Sequence, residues 1–433
     1  MEELSHAIYR SFEKKDIQYC LLRDSNQIDP ATHLMELDIL VNPNHLRRLE
    51  EVLLNSGFVH LPDWGFSPHH FYLIYDKPSD RWIKFDVVTR VAFGRPYGIY
   101  RTTLGEACLG HRKQEGNTYL PATEDEFITL LLHSVLDKGF FSPARLQRLQ
   151  LLRKTVKNEE YLTRLLASYW LPEMTWSRFT EMIDGEGWEA LLTDRLDIEY
   201  QLARRDFLGT FVRRFGYRIL RKLNRWVNPE RLPALTIALM APDGAGKSTL
   251  VEKIRQSFYF PVSSVYMGLY QKPTRKASNP LKEFLTPVRR LFKLWTQALV
   301  LRYYQLRQRI TVCDRYPYEA LLSAHKQLNF FKKGYRWLLA HACPAPDLVL
   351  FLDAPGEVLY ARKGEHSPAF LEEQRRSYLE LLSSVPQTVV VDATQEAEAV
   401  RIKATQLIWE KYIDHLRMRK LNKAQEQLPS RAR

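Results

Sequence analysis

The sequence predicts an α/β fold: a parallel sheet with helices on both faces in the C-terminal half, a smaller α+β domain at the N-terminus, and a helical connector between them. Short apolar runs alternate with helical patterns from Leu235 to Asp392, which is how a parallel sheet covered on both faces reads. The glycine-rich segment Ala241–Thr249 follows the first of those runs and opens an amphipathic helix. The length, 433 residues, exceeds what one average core organises.

Hydrophobic periodicity gives a first helix through Leu4, Ile8 and Phe12, then strands over Gln18 to Leu22 and Glu36 to Val41. Asn44 starts a helix with Leu46, Leu49, Leu53 and Leu54 on one face, and Gly57 stands at its expected C-terminal cap. Strands Phe71 to Tyr75 and Trp82 to Val88 flank a turn at Pro78 to Asp80. From Thr123 to about Trp226 the pattern is helical, and Pro229 and Pro233 end it. Then come strand Leu235 to Met240, helix Lys247 to Phe258, strand Ser264 to Met267 and helix Val288 to Gln308. Strands Ile310 to Asp314 and Leu348 to Asp353, helix Ala369 to Ser383 and strand Thr388 to Asp392 complete the alternation. The expected domains are 1–120, a connector 121–230, 231–415, and a basic tail 416–433.

A composition of 45% hydrophobic, 12% aromatic and 26% charged residues excludes collagen, coiled coil and wholesale disorder. The longest apolar runs, such as Leu235 to Ala241, fall far short of the roughly 18 to 20 residues of a spanning helix. Met1 to Asp16 mixes acids, bases and apolar residues without a hydrophobic block, so a cytoplasmic location is expected. Cys20, Cys108, Cys313 and Cys343 lie far apart, which predicts core packing and neither zinc nor disulfides.

The net charge of +13 is uneven. Arg213 to Arg225 and Pro287 to Ile310 each carry six Arg or Lys and no acid, and the tail from Leu416 has Glu426 as its one acid. Such surfaces suit phosphorylated substrates, nucleic acid or an anionic membrane face, or else simply stay solvated.

In Ala241-Pro242-Asp243-Gly244-Ala245-Gly246-Lys247-Ser248-Thr249, the two glycines let the backbone curl so that successive N–H groups face one concavity. The helix that follows adds the positive end of its dipole. This is the arrangement that cradles a triphosphate, with Lys247 reaching the β and γ phosphates and the Ser248 hydroxyl ligating magnesium. Ala241 stands where the GxxxxGK[ST] pattern has its first glycine.

These residues resemble thymidylate kinase and its relatives among the P-loop nucleoside monophosphate kinases. Thr311-Val312-Cys313-Asp314-Arg315-Tyr316 looks like that family's Asp-Arg-aromatic motif, and Pro346 to Ala354 looks like its later core strand. Arg362-Lys363-Gly364-Glu365 falls where its mobile lid begins. The resemblance runs from Leu232 to Tyr412. It implies ATP and Mg2+ as cofactors, Asp314 in the magnesium shell, Arg315 on the acceptor phosphate and Arg362, with Lys363, on the transferred group. Ala245 replaces the loop arginine of some relatives, and Asp243 aligns with a carboxylate that contacts the acceptor sugar. Met267 to Pro273, Glu319 and Leu322-Ser323-Ala324 depart from the family at base-pocket positions. Thymidine monophosphate is therefore only the starting acceptor. The basic helix Val288 to Gln308 would line the acceptor pocket, with a membrane surface or nucleic acid as the other readings, and a homodimer is compatible with the family.

In Glu36-Leu37-Asp38 the two acids project from one strand face, and Asp86 could join them from a neighbouring strand. Three convergent carboxylates are what a two-magnesium nucleotidyl transfer needs, while solvated strand-edge acids are the plainer reading. Residues Ile8 to Val91 resemble the nucleotidyltransferase superfamily, although Leu22-Arg23-Asp24-Ser25 stands where that family binds triphosphate through Gly-Ser or Gly-Gly. His69 and His70 beside Asp63 read as a surface loop, with metal ligation as the alternative. The function expected is phosphoryl transfer from ATP to a nucleotide-like acceptor. A sugar or glycan-precursor kinase and a membrane- or nucleic-acid-associated ATPase are the alternatives.

Overall fold

The computed structural model describes residues 2–22, 28–29, 33–61, 69–95, 98–227, 233–269, 280–322 and 329–426, with backbone alone for 2–3, 28–29, 217–218, 220–227, 280–285 and 419–426. The chain divides into two compact units, Met1–Asp29 with Leu34–Glu230, and Pro30–His33 with Arg231–Arg433. Among the described residues no helix is long and apolar enough to cross a membrane.

The first unit opens with α1 (Glu2–Lys14), whose Ile8 and Phe12 are buried. Its sheet contains β1 (Tyr19–Leu21), β2 (Ile28–Asp29), β3 (Leu34–Val41), β4 (Val59–Leu61), β5 (His69–Asp76) and β6 (Arg81–Val88). The order is β1-β3-β6-β5-β4, with β2 against the start of β3. Among the described residues of this sheet only β3 and β6 pair in parallel, in a register that sets Asp38 beside Asp86 and Glu36 beside Lys84. On β3, Met35, Leu37 and Ile39 turn into the core while Glu36 and Asp38 take the opposite face, the period-two alternation expected. Helix α2 (Leu46–Asn55) buries Leu49, Val52 and Leu53. A short 3-10 turn, Pro43–His45, precedes it where the helix was expected to begin.

Two ribbons follow, β7 (Ala92–Phe93) with β8 (Tyr100–Arg101) and β9 (Lys113–Glu115) with β10 (Thr118–Leu120), around α3 (Leu104–Gly110). The helical stretch comprises α4 (Thr123–Leu132), a π-helical turn His133–Lys138, α5 (Pro143–Thr155), α6 (Glu159–Tyr169), α7 (Trp176–Glu186), α8 (Arg195–Arg205) and α9 (Phe207–Val227). It is not a connector standing apart from the sheet. Phe127, Leu131, Leu166, Trp170 and Phe179 share one core with Cys20, Leu40, Val88 and Leu104, and α4 is buried from Glu124 to Leu132, its acids included.

The second unit holds β11 (Leu235–Met240), α10 (Lys247–Ser257), β12 (Val262–Tyr266), α11 (Pro280–Leu306), β13 (Ile310–Asp314), α12 (Phe330–Ala340) and β14 (Leu348–Asp353). Then come α13 (Gly356–Lys363), α14 (Pro368–Ser383), β15 (Thr388–Asp392) and α15 (Ala397–Glu426). The five strands pair in parallel in the order β12-β13-β11-β14-β15. Every residue of β11 is buried, as a central strand covered on both faces requires. All four cysteines are buried and free, in agreement with core packing.

Helix α11 is only partly covered. Leu294 and Leu301 enter the core, yet Val288, Phe292, Trp295, Leu299, Tyr303 and Leu306 are exposed. Burying each would contribute about 1.5–3 kcal/mol, so the stripe is a substantial unused apolar face.

Candidate active site

The chain leaves β11 for β12 on one side of the sheet and reaches β14 on the other, so the C-terminal end of β11 lies at the reversal of strand order, where open parallel sheets form a crevice. The glycine loop occupies that end. Gly244 and Gly246 have φ of +92° and +87°, the left-handed region that favours glycine. Gly244 also passes so close to α13 that a Cβ would stand 2.6 Å from the Leu359 carbonyl oxygen. Ala241 is not among the residues with positive φ, which explains why alanine suffices there.

Asp243, Gly244, Gly246, Lys247, Ser248 and Thr249 line a cleft of about 450 Å³, together with Tyr266, Asp314, Arg315, Arg362 and Lys363. Ala245 is buried beneath the loop instead. Lys247 is 7% exposed, and its ammonium donates to the carbonyls of Ala241 and Pro242, each at 2.8 Å. Burial, then the charge of Arg315, lowers its pKa to about 8, against the opposing pull of Asp243. Asp243 is itself pushed up by burial, but Arg315 and then Lys247 hold it below the usual carboxylate range.

Asp314 ends β13, and the Ser248 hydroxyl donates to its Oδ2 at 3.0 Å. Its Oδ1 is buried with no hydrogen-bond partner among the described residues. A hydroxyl and a carboxylate with an unsatisfied oxygen fit a hard cation that takes oxygen ligands, so Ser248 and Asp314 could hold magnesium. Among the described residues, one group brings three His or carboxylate ligand atoms within 4.8 Å of one another: Asp243, Glu365 and His366.

Arg315 has φ +70° and its N–H donates to the Leu239 carbonyl, a kink that aims the guanidinium back over the loop. There it meets Asp243 at 2.5 Å and Glu319 at 3.2 Å. Glu319, a departure from the family pattern, is buried and also accepts from the Tyr378 hydroxyl at 2.8 Å. It therefore anchors Arg315 from behind. Arg362 is tied by its Nη1 to the Ala393 carbonyl at 2.8 Å, and Lys363 pairs with Glu365 at 3.2 Å. Gly364 caps α13 at φ +68°, and α14 begins at Pro368, so the segment expected to open a lid is a short turn between helices.

Sequence reasoning missed two features. Tyr266 reaches the cleft beneath Lys293, whose ammonium lies 5.9 Å from the ring and donates to the Gly268 carbonyl. Arg375 grips Asp353 through two bonds of 2.6 and 2.9 Å, a pairing between α14 and β14 with no local signal. Of the expected base-pocket departures, Tyr270 to Pro273 and Ser323-Ala324 lie outside the described residues.

In the first unit Asp38 and Asp86 stand in register, but Glu36 is bound by Lys84 at 2.9 Å, and His69 Nδ1 lies 2.6 Å from Asp86. Glu36, Asp38 and Asp86 do not form a three-ligand group within 4.8 Å among the described residues. A lysine in register on the neighbouring strand draws Glu36 away. His69 and His70 belong to β5 and not to a loop, and Asp63 and the Arg23-Asp24-Ser25 loop lie outside the described residues.

No protein-family profile matches the chain. Thymidylate kinase of Latilactobacillus sakei subsp. sakei (strain 23K) is 25% identical over 201 residues, which covers 40% of this chain and 93% of that enzyme. The likeness is consistent with a kinase-like part of the chain.

Proposed function

We propose that the second unit is a P-loop phosphotransferase that moves the γ-phosphoryl of ATP to a nucleotide-like acceptor, with thymidine monophosphate the first to try. The observation that carries this reading is the convergence of Lys247, the Ser248–Asp314 pair and the Arg315–Asp243 pair on one glycine loop. The distant thymidylate kinase relative supports a nucleotide kinase in general.

Phosphoryl transfer asks for positioning and positive charge more than for covalent chemistry. The loop N–H groups and Lys247 bind the donor, and Arg315, steadied by Glu319, orients the acceptor while Asp243 accepts from an acceptor hydroxyl. Arg362 and Lys363 supply charge from the far wall. Magnesium, when bound beside Ser248 and Asp314, offsets phosphate charge. Against a hydrolytic ATPase, Asp353 has no adjacent glutamate to orient water, and its carboxylate is engaged by Arg375. A sugar acceptor remains the second reading, because Glu319 already satisfies part of Arg315 and leaves less charge for an acceptor phosphate.

For the first unit the reading is a nucleotidyltransferase-like sheet, supported by the register of Asp38 and Asp86. Incubating the protein with magnesium, labelled ATP and panels of nucleoside monophosphates and free sugars tests the kinase. Label is expected on one acceptor class, and Lys247→Ala should abolish it. Label appearing solely as free phosphate across the panel would overturn the kinase in favour of the ATPase.

A further inference from the structure

Helix α9 is docked with its polar side inward. Thr210 is buried, and Arg213 donates to the Ile99 carbonyl at 2.8 Å and to Asp206 at 2.7 Å. Arg214 donates to the Tyr100 hydroxyl at 2.8 Å. Hydrogen bonds to the body of the first unit thus fix the helix by the side that would ordinarily face water.

The opposite side is apolar. Phe207, Leu208, Phe211, Val212, Phe215 and Ile219 are exposed, Phe211 at 60% and Phe215 at 57%, and these two rings stack with centroids 6.0 Å apart. At 100° per residue these six positions fall within one face about 140° wide. Phe207 to Val227 contains no acid and six bases, and Arg214 falls at one border of that face. An apolar face with a cationic margin and no anions is complementary to an anionic lipid surface, where rings enter the acyl boundary and arginines meet headgroup phosphates. The helix is not long and apolar enough to span a membrane.

We propose that α9 is an interfacial helix that holds the protein on an anionic bilayer. The test uses the full chain and flotation with vesicles of phosphatidylcholine alone or mixed with phosphatidylglycerol. Binding is expected to the mixed vesicles, to fall steeply when salt rises from about 0.1 to about 0.5 M as the Debye length shortens, and to drop at least tenfold in the Phe211→Ser, Phe215→Ser double variant. Both side chains are exposed, so the variant should keep the wild-type circular dichroism and ATP binding. The proposal is overturned by no binding, by equal binding to neutral and mixed vesicles, or by undiminished binding of the double variant, which would move the contact to α11 or elsewhere. It is also overturned if light scattering without vesicles shows a wild-type dimer and a monomeric double variant, which would make the face a protein contact.

Discussion

Lys247 sits in a site that penalises its own charge. Burial and the nearby Arg315 lower its pKa from 10.5 to about 8, so the protonated form is the costly one in the ligand-free fold. Below about pH 8 the lysine is protonated in both folded and unfolded chains, and the full penalty applies. Between about 8 and 10.5 the folded protein sheds a proton that the unfolded chain keeps, so this residue's contribution to stability rises with pH. Urea titrations should show the ligand-free wild type gaining about 2 kcal/mol relative to Lys247→Met between pH 7 and 9.5. Triphosphate binding selects the protonated lysine and moves the opposite way. ATP affinity by calorimetry should fall above about pH 8, at most tenfold per unit. Affinity flat to pH 10 would mean that the lysine is not the group facing the phosphate.

The glycine loop and its neighbours show what an element demands of sequence. Gly246 has φ +87° but open space around a prospective Cβ, so Gly246→Ala carries left-handed strain alone, about 1–2 kcal/mol. Gly244 adds a backbone carbonyl of α13 at 2.6 Å that cannot rotate aside. ATP affinity is expected to fall within about tenfold in Gly246→Ala and much further in Gly244→Ala, which should also melt lower; the reverse order would show that α13 does not brace the loop. The loop was legible because its chemistry is local: strand, turn and helix follow one another directly from Leu235 to Ser257. The bounds of β11 and β14 were legible too, since a strand buried on both faces reads as an uninterrupted apolar run. Sheet order was not, nor the grip of Arg375 on Asp353, because both join segments distant in sequence. Glu319 was visible only as a departure, and its partner Tyr378 lies 59 residues on. For the apolar stripe of α11, the sequence left the partner open for a physical reason. Periodicity reports that a helix has an apolar face, but not whether this chain covers it.

At the scale of the molecule, each unit owns a hydrophobic core: Phe85, Ile39 and Phe12 with their neighbours and the cluster around Trp170 in the first, and Met240, Phe351 and Tyr378 in the second. The glycine-loop residues belong wholly to the second. A ligand stabilises only the cooperative unit it binds, so magnesium ATP should raise one calorimetric transition and leave the other in place. At a concentration 100 times its dissociation constant, ATP adds about 2.7 kcal/mol. For a unit of this size that corresponds to an upward shift on the order of 5–10 °C. Asp38→Asn belongs to the other unit, and the nucleotide-dependent shift and phosphoryl transfer should both survive it. A single transition that moves as a whole with ATP would sink the independence of the two cores, and loss of kinase turnover in Asp38→Asn would place the first unit's carboxylates in the kinase reaction itself.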